Sequence, residues 1–93
     1  MESLPLPHRL ADGTVVLFVE VPPEHIILFQ GVFDLHEGIA AVRTIDKTIP
    51  VISLLSTESM VPICLEVLKD TWPLFHWRNP PLEWQRPSTV IDQ

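Results

Sequence analysis

One segment, residues 14–21, constrains the fold more than any other part of this 93-residue chain. It reads Thr-Val-Val-Leu-Phe-Val-Glu-Val, and β-branched and aromatic residues of this kind favour a strand. Apolar side chains fall on both faces of that strand as far as Glu20, so neither face is suited to solvent. We therefore expect this strand to lie in the middle of a sheet.

Composition bounds the class of protein. Hydrophobic residues make up 46% of the chain, which excludes disorder throughout, and 93 residues are enough for one domain with one core. Twelve acidic residues against six Lys plus Arg give a formal net charge of −6, which argues against nucleic-acid binding because phosphate contacts need clustered cations. The single cysteine, Cys64, cannot form an intramolecular disulfide or build a thiolate metal site by itself.

The N-terminal residues do not resemble a targeting signal. Residues 1–9 contain neither the basic nor the apolar region of a secretory signal. The longest apolar runs, 15–19 and 26–29, are far shorter than the roughly 20 residues that a membrane-spanning helix needs. We therefore expect a cytoplasmic protein that does not associate with a membrane.

A helix is predicted directly after the first strand. Pro22 and Pro23 end the strand, and Pro23 suits the first helical position, where its missing N–H leaves no hydrogen bond unmade. Gly38 suits a left-handed cap at the other end. The predicted helix therefore spans about residues 23–36.

The apolar face of this helix is unusually wide. At about 100° per residue its apolar residues sweep roughly half of the circumference, and they are Ile26, Leu28, Phe29, Val32, Phe33 and Leu35. Ile27 lies outside that arc, and the polar side is formed by Gln30, Gly31 and Asp34. Such a face is wider than contact with a single sheet requires.

Two further strands are predicted to form an antiparallel hairpin. The first covers residues 39–46, a turn follows at 46–48, and the second begins at Ile49 or Val51 and ends at Ser56. The residues expected to face the helices are Ala40, Val42, Ile52 and Leu54. Those expected to face the other way are Ile39, Ala41, Arg43 and Ile45.

A second helix is predicted over about residues 60–70, with Ser59 as its cap. Pro62 then falls in the first turn, where its missing N–H has no acceptor within the helix. The buried stripe of this helix is predicted to contain Val61, Cys64, Leu65 and Leu68.

From residue 71 onward the chain is rich in proline and in its three tryptophans, Trp72, Trp77 and Trp84. Residues 74–77 are compatible with a short fourth strand. The tryptophans have three possible roles: they cover the core or sheet face of this chain, they contact a second subunit, or they form a peptide motif with Pro80 and Pro81 for a different partner.

The order of elements predicts an α+β fold, a ferredoxin-like βαββα(β) sandwich in which an antiparallel sheet carries two helices on one face. An irregular arm over residues 1–13 precedes this domain, which spans residues 14–70. A Pro/Trp-rich extension over residues 71–93 follows it.

Residues 37–46, Glu-Gly-Ile-Ala-Ala-Val-Arg-Thr-Ile-Asp, resemble a small bacterial family known as domain of unknown function 4911. That family resembles ACT domains in layout, and the similarity covers about residues 15–68. The resemblance implies an ACT-like fold and carries over no catalytic residue. ACT domains bind amino acids between subunits, usually beside a glycine-containing turn after the first strand. Here that turn is Glu20-Val21-Pro22-Pro23, and the missing glycine argues against amino-acid binding at this loop.

The titratable residues do not form a pattern typical of a metal or catalytic site. His25 and His36 are eleven residues apart on the predicted helix, about 16 Å along its axis, which is too far to share an ion. Cys64 lies on a predicted apolar stripe, so we expect a buried and unreactive thiol. The sequence therefore predicts no enzymatic activity, no cofactor and no metal.

The predicted function is that of a non-enzymatic, self-associating regulatory or small-ligand-sensing domain. The wide apolar faces predict a homodimer, with candidate interface residues Ile26, Ile27, Phe29, Phe33, Ile39, Ala41, Ile45, Trp77 and Trp84. A ligand is expected between subunits, near the candidate binding residues Pro22, Pro23, Glu37, Gly38 and Arg43. One alternative is an adaptor whose aromatic and proline-rich tail docks on a partner protein. Another is an enzyme site completed across a dimer by His25, His36 or His76.

Overall fold

The computed structural model of this protein describes residues 3–36, 38–44 and 49–85. In these residues the chain forms a four-stranded antiparallel sheet and two α-helices, so the predicted α+β class is confirmed. The elements are β1 (His8–Arg9), β2 (Thr14–Glu20), α1 (Ile26–Leu35), β3 (Ala41–Thr44), β4 (Val51–Thr57) and α2 (Val61–Phe75). Short 3-10 turns lie at Pro23–His25 and Leu82–Trp84.

The strand order is β1-β2-β4-β3, which places β2 in the interior of the sheet. It pairs with β4 along its whole length, from Thr14 opposite Thr57 to Glu20 opposite Val51. Its five central residues, 15–19, are buried on both faces. The prediction of a central strand, made from its apolar residues alone, is therefore confirmed.

Both helices pack on the same face of the sheet. Their buried side chains share one core with those of the central strands, and this helix-side core includes Leu17, Val19, Phe29, Phe33, Ile52, Leu54, Cys64, Leu68, Phe75 and Trp77. Ile52 and Leu54 face the helices as predicted, and Ala40 and Val42 pack at the margin of the same core.

The predicted orientation of Ile39 is wrong. This side chain is buried in the helix-side core, although the sequence pattern placed it on the opposite face. It precedes β3, and Gly38 before it has a φ of 84°, so the strand alternation does not extend back to it. Ala41 and Arg43 on β3 are exposed, and Ile45 and the predicted turn at 46–48 lie outside the described residues.

The second face of the sheet is covered in part by the chain itself. Val16, Phe18 and Val51 are buried there. The side chains packed against them come from the first arm, the β3–β4 connection, β4 and the second 3-10 turn, and they are Leu10, Ile49, Leu55 and Trp84.

The outer edge of β2 is closed by both ends of the described chain. His8 and Arg9 pair with Val16 and Val15 near the start of the strand. At its other end Arg78 forms a bridge with Glu20, in which each backbone N–H donates to the other residue's carbonyl at 2.8 and 2.9 Å.

Helix α2 is longer than predicted, and the predicted strand at 74–77 is wrong. The helix continues through Pro73 to Phe75, so the predicted domain boundary at residue 70 falls inside it. His76 follows with a φ of 50°, which ends the helix and turns Trp77 into the core. At the start of α2, Pro62 lies in the first turn as predicted, whereas Met60 rather than Ser59 occupies the cap position.

Candidate interaction surface

The rotation of α1 about its axis is fixed by an aromatic cluster. Phe29 and Phe33 are one turn apart on the helix and both are buried, with ring centroids 5.2 Å apart. Phe75 at the end of α2 meets Phe29 edge to face at 5.5 Å. Because these rings hold one side of α1 against the sheet and α2, the opposite side of the helix points outward.

That outward side is apolar. Ile27 is 82% exposed, Leu28 is 65% exposed and Leu35 is 85% exposed. Gly31 lies between them, since 27, 31 and 35 are successive i, i+4 positions on one helix surface. We call the surface formed by Ile27, Leu28, Gly31 and Leu35 the α1 face.

The outward side of α2 differs in chemistry. It exposes Pro62, Glu66, Lys69, Asp70 and Pro73, with isolated apolar side chains at Ile63 and Leu74. Scattered apolar residues of this kind are ordinary on a protein surface, whereas a contiguous apolar patch indicates an interaction site. The α1 face is therefore the distinctive surface of the helical layer.

Acidic residues flank the α1 face. Glu24 and Asp34 are exposed near its two ends. His36 follows the helix, and its Nδ1 lies 2.8 Å from the carbonyl oxygen of Val32, to which it donates. These flanks do not form a cationic site, so the surface favours an apolar partner rather than an anionic ligand.

Four of the predicted interface residues are not available to a partner. Phe29, Phe33, Ile39 and Trp77 are buried in the helix-side core of the single chain, so those assignments are wrong. Each packs inward because the chain's own sheet and helices complete its surroundings.

The other predicted interface residues are divided between two faces. Ile26 is partly buried beside the core, and Ile27 belongs to the α1 face. Ala41 and Trp84 lie on the sheet side away from the helices, where Ala41 is exposed and Trp84 packs over the buried face. Ile45 is outside the described residues.

Sequence reasoning missed Leu28, Gly31 and Leu35 as members of the surface. It placed both leucines in the wide apolar arc of the helix but not among the candidate interface residues, and it placed the glycine on the polar side. The i, i+4 pair of Phe29 and Phe33 was the available signal, because aromatic residues bury the most area and so set the rotation of the helix.

The predicted ligand residues do not form one site within the chain. Pro22 and Pro23 border a hollow of about 310 Å³ whose other lining residues include His76 and Arg78. Gly38 borders a different hollow of about 390 Å³. The lining of that second hollow also includes Thr14, Ile39, Ser56 and Thr57.

The two hollows lie at opposite ends of β2, about 20 Å apart at the usual rise per residue of a strand. Arg43 lines neither hollow, and Glu37 is outside the described residues. A single chain therefore does not bring these five predicted residues together.

The polar groups near the hollows already have partners. The Arg78 guanidinium contacts the Glu20 carboxylate at 2.7 Å, and the Ser56 hydroxyl donates to the carbonyl of Ile39. In the part of the chain that the structure describes, every buried side-chain nitrogen or oxygen has a hydrogen-bond partner. Neither hollow thus contains an unsatisfied buried group that would recognise a ligand.

Cys64 is fully buried beside Ile39, and its Sγ–H donates to the Ile39 carbonyl at 3.2 Å. Burial raises the pKa of this thiol, which disfavours the nucleophilic thiolate. Within residues 3–36, 38–44 and 49–85 there is no group of three His, Cys, Asp or Glu placed to bind a metal ion. In the same ranges no helix has the length and hydrophobicity needed to cross a membrane.

Comparison with protein-family models yields no match, and comparisons with curated proteins and with solved structures yield none. The assignment of function therefore depends on the chain's own surfaces.

Proposed function

We propose that this chain is a self-associating regulatory domain that forms a homodimer through the α1 face. The observation that carries the proposal is the exposure of Ile27, Leu28 and Leu35 on one side of one helix. Contiguous apolar patches on a chain with a complete core mark an interaction surface. A second copy is the commonest partner for such a surface, because a two-fold axis lets one patch cover itself.

The energetics favour a dimer of moderate affinity. Complete burial of a Leu or Ile side chain stabilises by about 1.5–3 kcal/mol. A two-fold interface covers the three side chains twice, roughly 9–18 kcal/mol in total before their partial burial in the monomer is discounted. Association itself costs about 4–15 kcal/mol. The gain exceeds the cost over most of these ranges, so a dimer is energetically accessible, and we expect its dissociation constant to be micromolar or weaker.

The layout of the chain supports an ACT-like, ferredoxin-like assignment. In that arrangement the last strand lies beside the first long strand, and here Arg78 pairs with Glu20 at that place, directly after α2. The resemblance of residues 37–46 to an ACT-like bacterial family is the reason for proposing a regulatory or ligand-sensing role. The proposal assigns no catalytic step to the chain and places it in the cytoplasm.

The adaptor alternative is not favoured by the position of its proposed anchors. Trp77 is fully buried, Pro80 is buried and Trp84 is packed against the sheet. A peptide motif docks through side chains that are free to enter a partner's groove. These three residues contact their own chain instead.

We expect the full chain to change from monomer to dimer across the micromolar range when its mass is measured by sedimentation equilibrium. Substituting Ile27→Ser and Leu35→Ser together removes two exposed apolar contacts from each copy, so the dissociation constant should rise at least about 100-fold. Both positions point outward, so the circular dichroism spectrum and the thermal midpoint of the monomer should stay close to wild type.

The matched control is Ile63→Ser, which removes an exposed isoleucine from α2 rather than from the α1 face. Its dissociation constant should equal that of the wild type. A wild-type chain that stays monomeric even at about 1 mM would refute self-association.

A further inference from the structure

We propose that the two copies pair through antiparallel α1 helices that cross at Gly31, with Ile27 of each copy packed on Leu35 of the other. This inference rests on the proposed self-association and specifies its geometry. It explains why a glycine lies in the middle of an otherwise apolar helix surface.

Nothing within the single chain requires a glycine at position 31. The residue lies inside α1, and it is not among the glycines with positive φ, which are Gly13 and Gly38. A Cβ atom added at Gly31 would meet no heavy atom within 4 Å. Because glycine is the poorest helix former after proline, its place here points to the close approach of another backbone from outside.

The spacing of the α1 face is self-complementary. Ile27 lies four residues before Gly31, and Leu35 lies four residues after it. In an antiparallel pair centred on Gly31, each large side chain of one helix therefore meets the large side chain at the other end of its partner. The three residues form an i±4 ridge, and packing such ridges together gives a crossing angle near −50°.

The direction of the face permits this pairing. At about 100° per residue, Gly31 lies opposite the midpoint of Phe29 and Phe33, so it lies on the side of α1 away from the helix-side core. Two copies can then meet through α1 alone, with their sheets on the outer sides. Antiparallel helices also place the positive end of one helix dipole beside the negative end of the other.

Substitutions of Gly31 should separate two effects with opposite signs. Gly31→Ala should raise the thermal midpoint, measured at concentrations where the chain is monomeric, by roughly 4–8 °C because alanine favours the helix. The same change should weaken the dimer, and Gly31→Leu should weaken it at least about tenfold more, because the added side chain holds the backbones apart.

The matched control places the same leucine on the outward side of α2. Glu66→Leu should leave the dissociation constant unchanged, since Glu66 lies outside the α1 face. If Gly31 is only a solvent-exposed residue, Gly31→Ala will stabilise the monomer and leave dimerisation unchanged, and that result would overturn the proposal.

Cysteine cross-linking tests the orientation of the helices. Ile27→Cys and Leu35→Cys are prepared separately, mixed at a concentration that favours the dimer, and oxidised, while the buried Cys64 stays protected. In the antiparallel pair position 27 meets position 35, so the mixture should form a 27–35 disulfide. Two residues at position 27 would be about 12 Å apart along the axis, so neither variant alone should cross-link.

The outcomes distinguish this inference from the proposed function. Self-linking of each variant alone would indicate parallel helices and overturn the crossing at Gly31. A wild-type dimer whose variants form no disulfide would also overturn it, while leaving self-association intact. A monomeric wild type would reject both.

Discussion

At the scale of single residues, Cys64 shows how burial changes a side chain's chemistry. Its Sγ lies 3.2 Å from the carbonyl oxygen of Ile39 and 3.5 Å from the hydroxyl of Ser56, within the helix-side core. Removal from water raises the pKa of the thiol, because the charged thiolate is poorly solvated there, while the hydrogen bond between Cys64 and Ser56 partly opposes the rise. The folded state therefore keeps Cys64 neutral at pH values where the unfolded chain ionises it.

This difference predicts a loss of stability at alkaline pH. Below the unfolded-state pKa of about 8.5 both states are protonated, and the full stability is present. Above it the unfolded state binds fewer protons, so the free energy of unfolding should fall by up to about 1.4 kcal/mol per pH unit until the pH reaches the folded-state pKa. Urea denaturation between pH 7 and about 10 measures this slope.

The chain has no tyrosine, so few other side chains titrate in this window. In Cys64→Ala the free energy of unfolding should therefore fall less steeply with pH over this alkaline range. Val61→Ala, which also removes a buried side chain but no titratable group, should keep the wild-type slope at a lower overall stability. If the free energy of unfolding falls with pH at the same rate in wild type and in Cys64→Ala, the prediction is contradicted.

At the scale of elements, the end of α2 depends on hydrogen bonds from side chains. The indole N–H of Trp77 donates to the Leu68 carbonyl at 2.7 Å, and the Thr71 hydroxyl donates to the Val67 carbonyl at the same distance. Pro73 lies inside this last part of the helix and lacks its own N–H. In an unbroken helix the N–H of residue 73 would pair with the carbonyl of residue 69, so the side chains of Trp77 and Thr71 add hydrogen bonds at neighbouring carbonyls and do not replace the one that Pro73 lacks.

Trp77→Phe should lower the free energy of unfolding by about 1–3 kcal/mol, because the Leu68 carbonyl loses one of its donors and the smaller ring fills less of the core. Denaturation in urea at neutral pH measures the loss. Trp84→Phe is the matched control, since Trp84 is only partly buried on the other side of the sheet, and its cost should be below about 1 kcal/mol. A loss for Trp77→Phe that is no larger than the loss for Trp84→Phe would contradict the prediction.

At the scale of the whole molecule, the residues after 70 complete the domain. Phe75 and Trp77 lie in the helix-side core, Arg78 pairs with the edge of β2, and Trp84 covers the opposite face. On the N-terminal side, the Arg9 guanidinium contacts the Glu58 carboxylate beyond the end of β4, and Ser3 accepts a hydrogen bond from the Asn79 amide. Both described ends of the chain thus contact the sheet or each other.

A chain cut after Asp70 should therefore not fold. Loss of Phe75 and of Trp77 from a core costs about 3–5 kcal/mol each, which is comparable to a total stability of about 5–15 kcal/mol. Circular dichroism and the dispersion of amide resonances should indicate an unfolded chain. A chain cut after Gln85, which keeps every residue described here from 49 onward, should fold cooperatively. A cooperative transition for the shorter chain would contradict this account.

Much of the sheet could be predicted because strand signals are local. Apolar residues on both faces of 14–21 required an interior strand, and the alternation of Ile52 and Leu54 with Ser53 placed those two side chains towards the helices. The start of α2 was equally accessible, because Pro62 lies in the first turn, where a missing N–H leaves no intrahelical hydrogen bond unmade. The start of the first helix was predicted three residues too early, since Pro23 opens a 3-10 turn and α1 itself begins at Ile26.

The candidate site was only partly predictable. A half-apolar helix such as α1 can turn either side towards the sheet, and its own periodicity does not distinguish Leu28 and Leu35 from Phe29 and Phe33. The contact between Phe29 and Phe75, which belongs to α2, sets the rotation of α1 about its axis. Contacts between residues so far apart in the sequence leave no local pattern.

The amino-acid sequence alone determined the α+β class, the interior place of β2 and the presence of more apolar surface than one sheet contact needs. Tertiary structure alone decided how far α2 extends, which way Ile39 and Trp77 point, and which side of α1 stays exposed. Strand alternation and proline stereochemistry act between neighbours along the chain, whereas the length of a helix end and the rotation of a helix are set by the partners that bury its side chains.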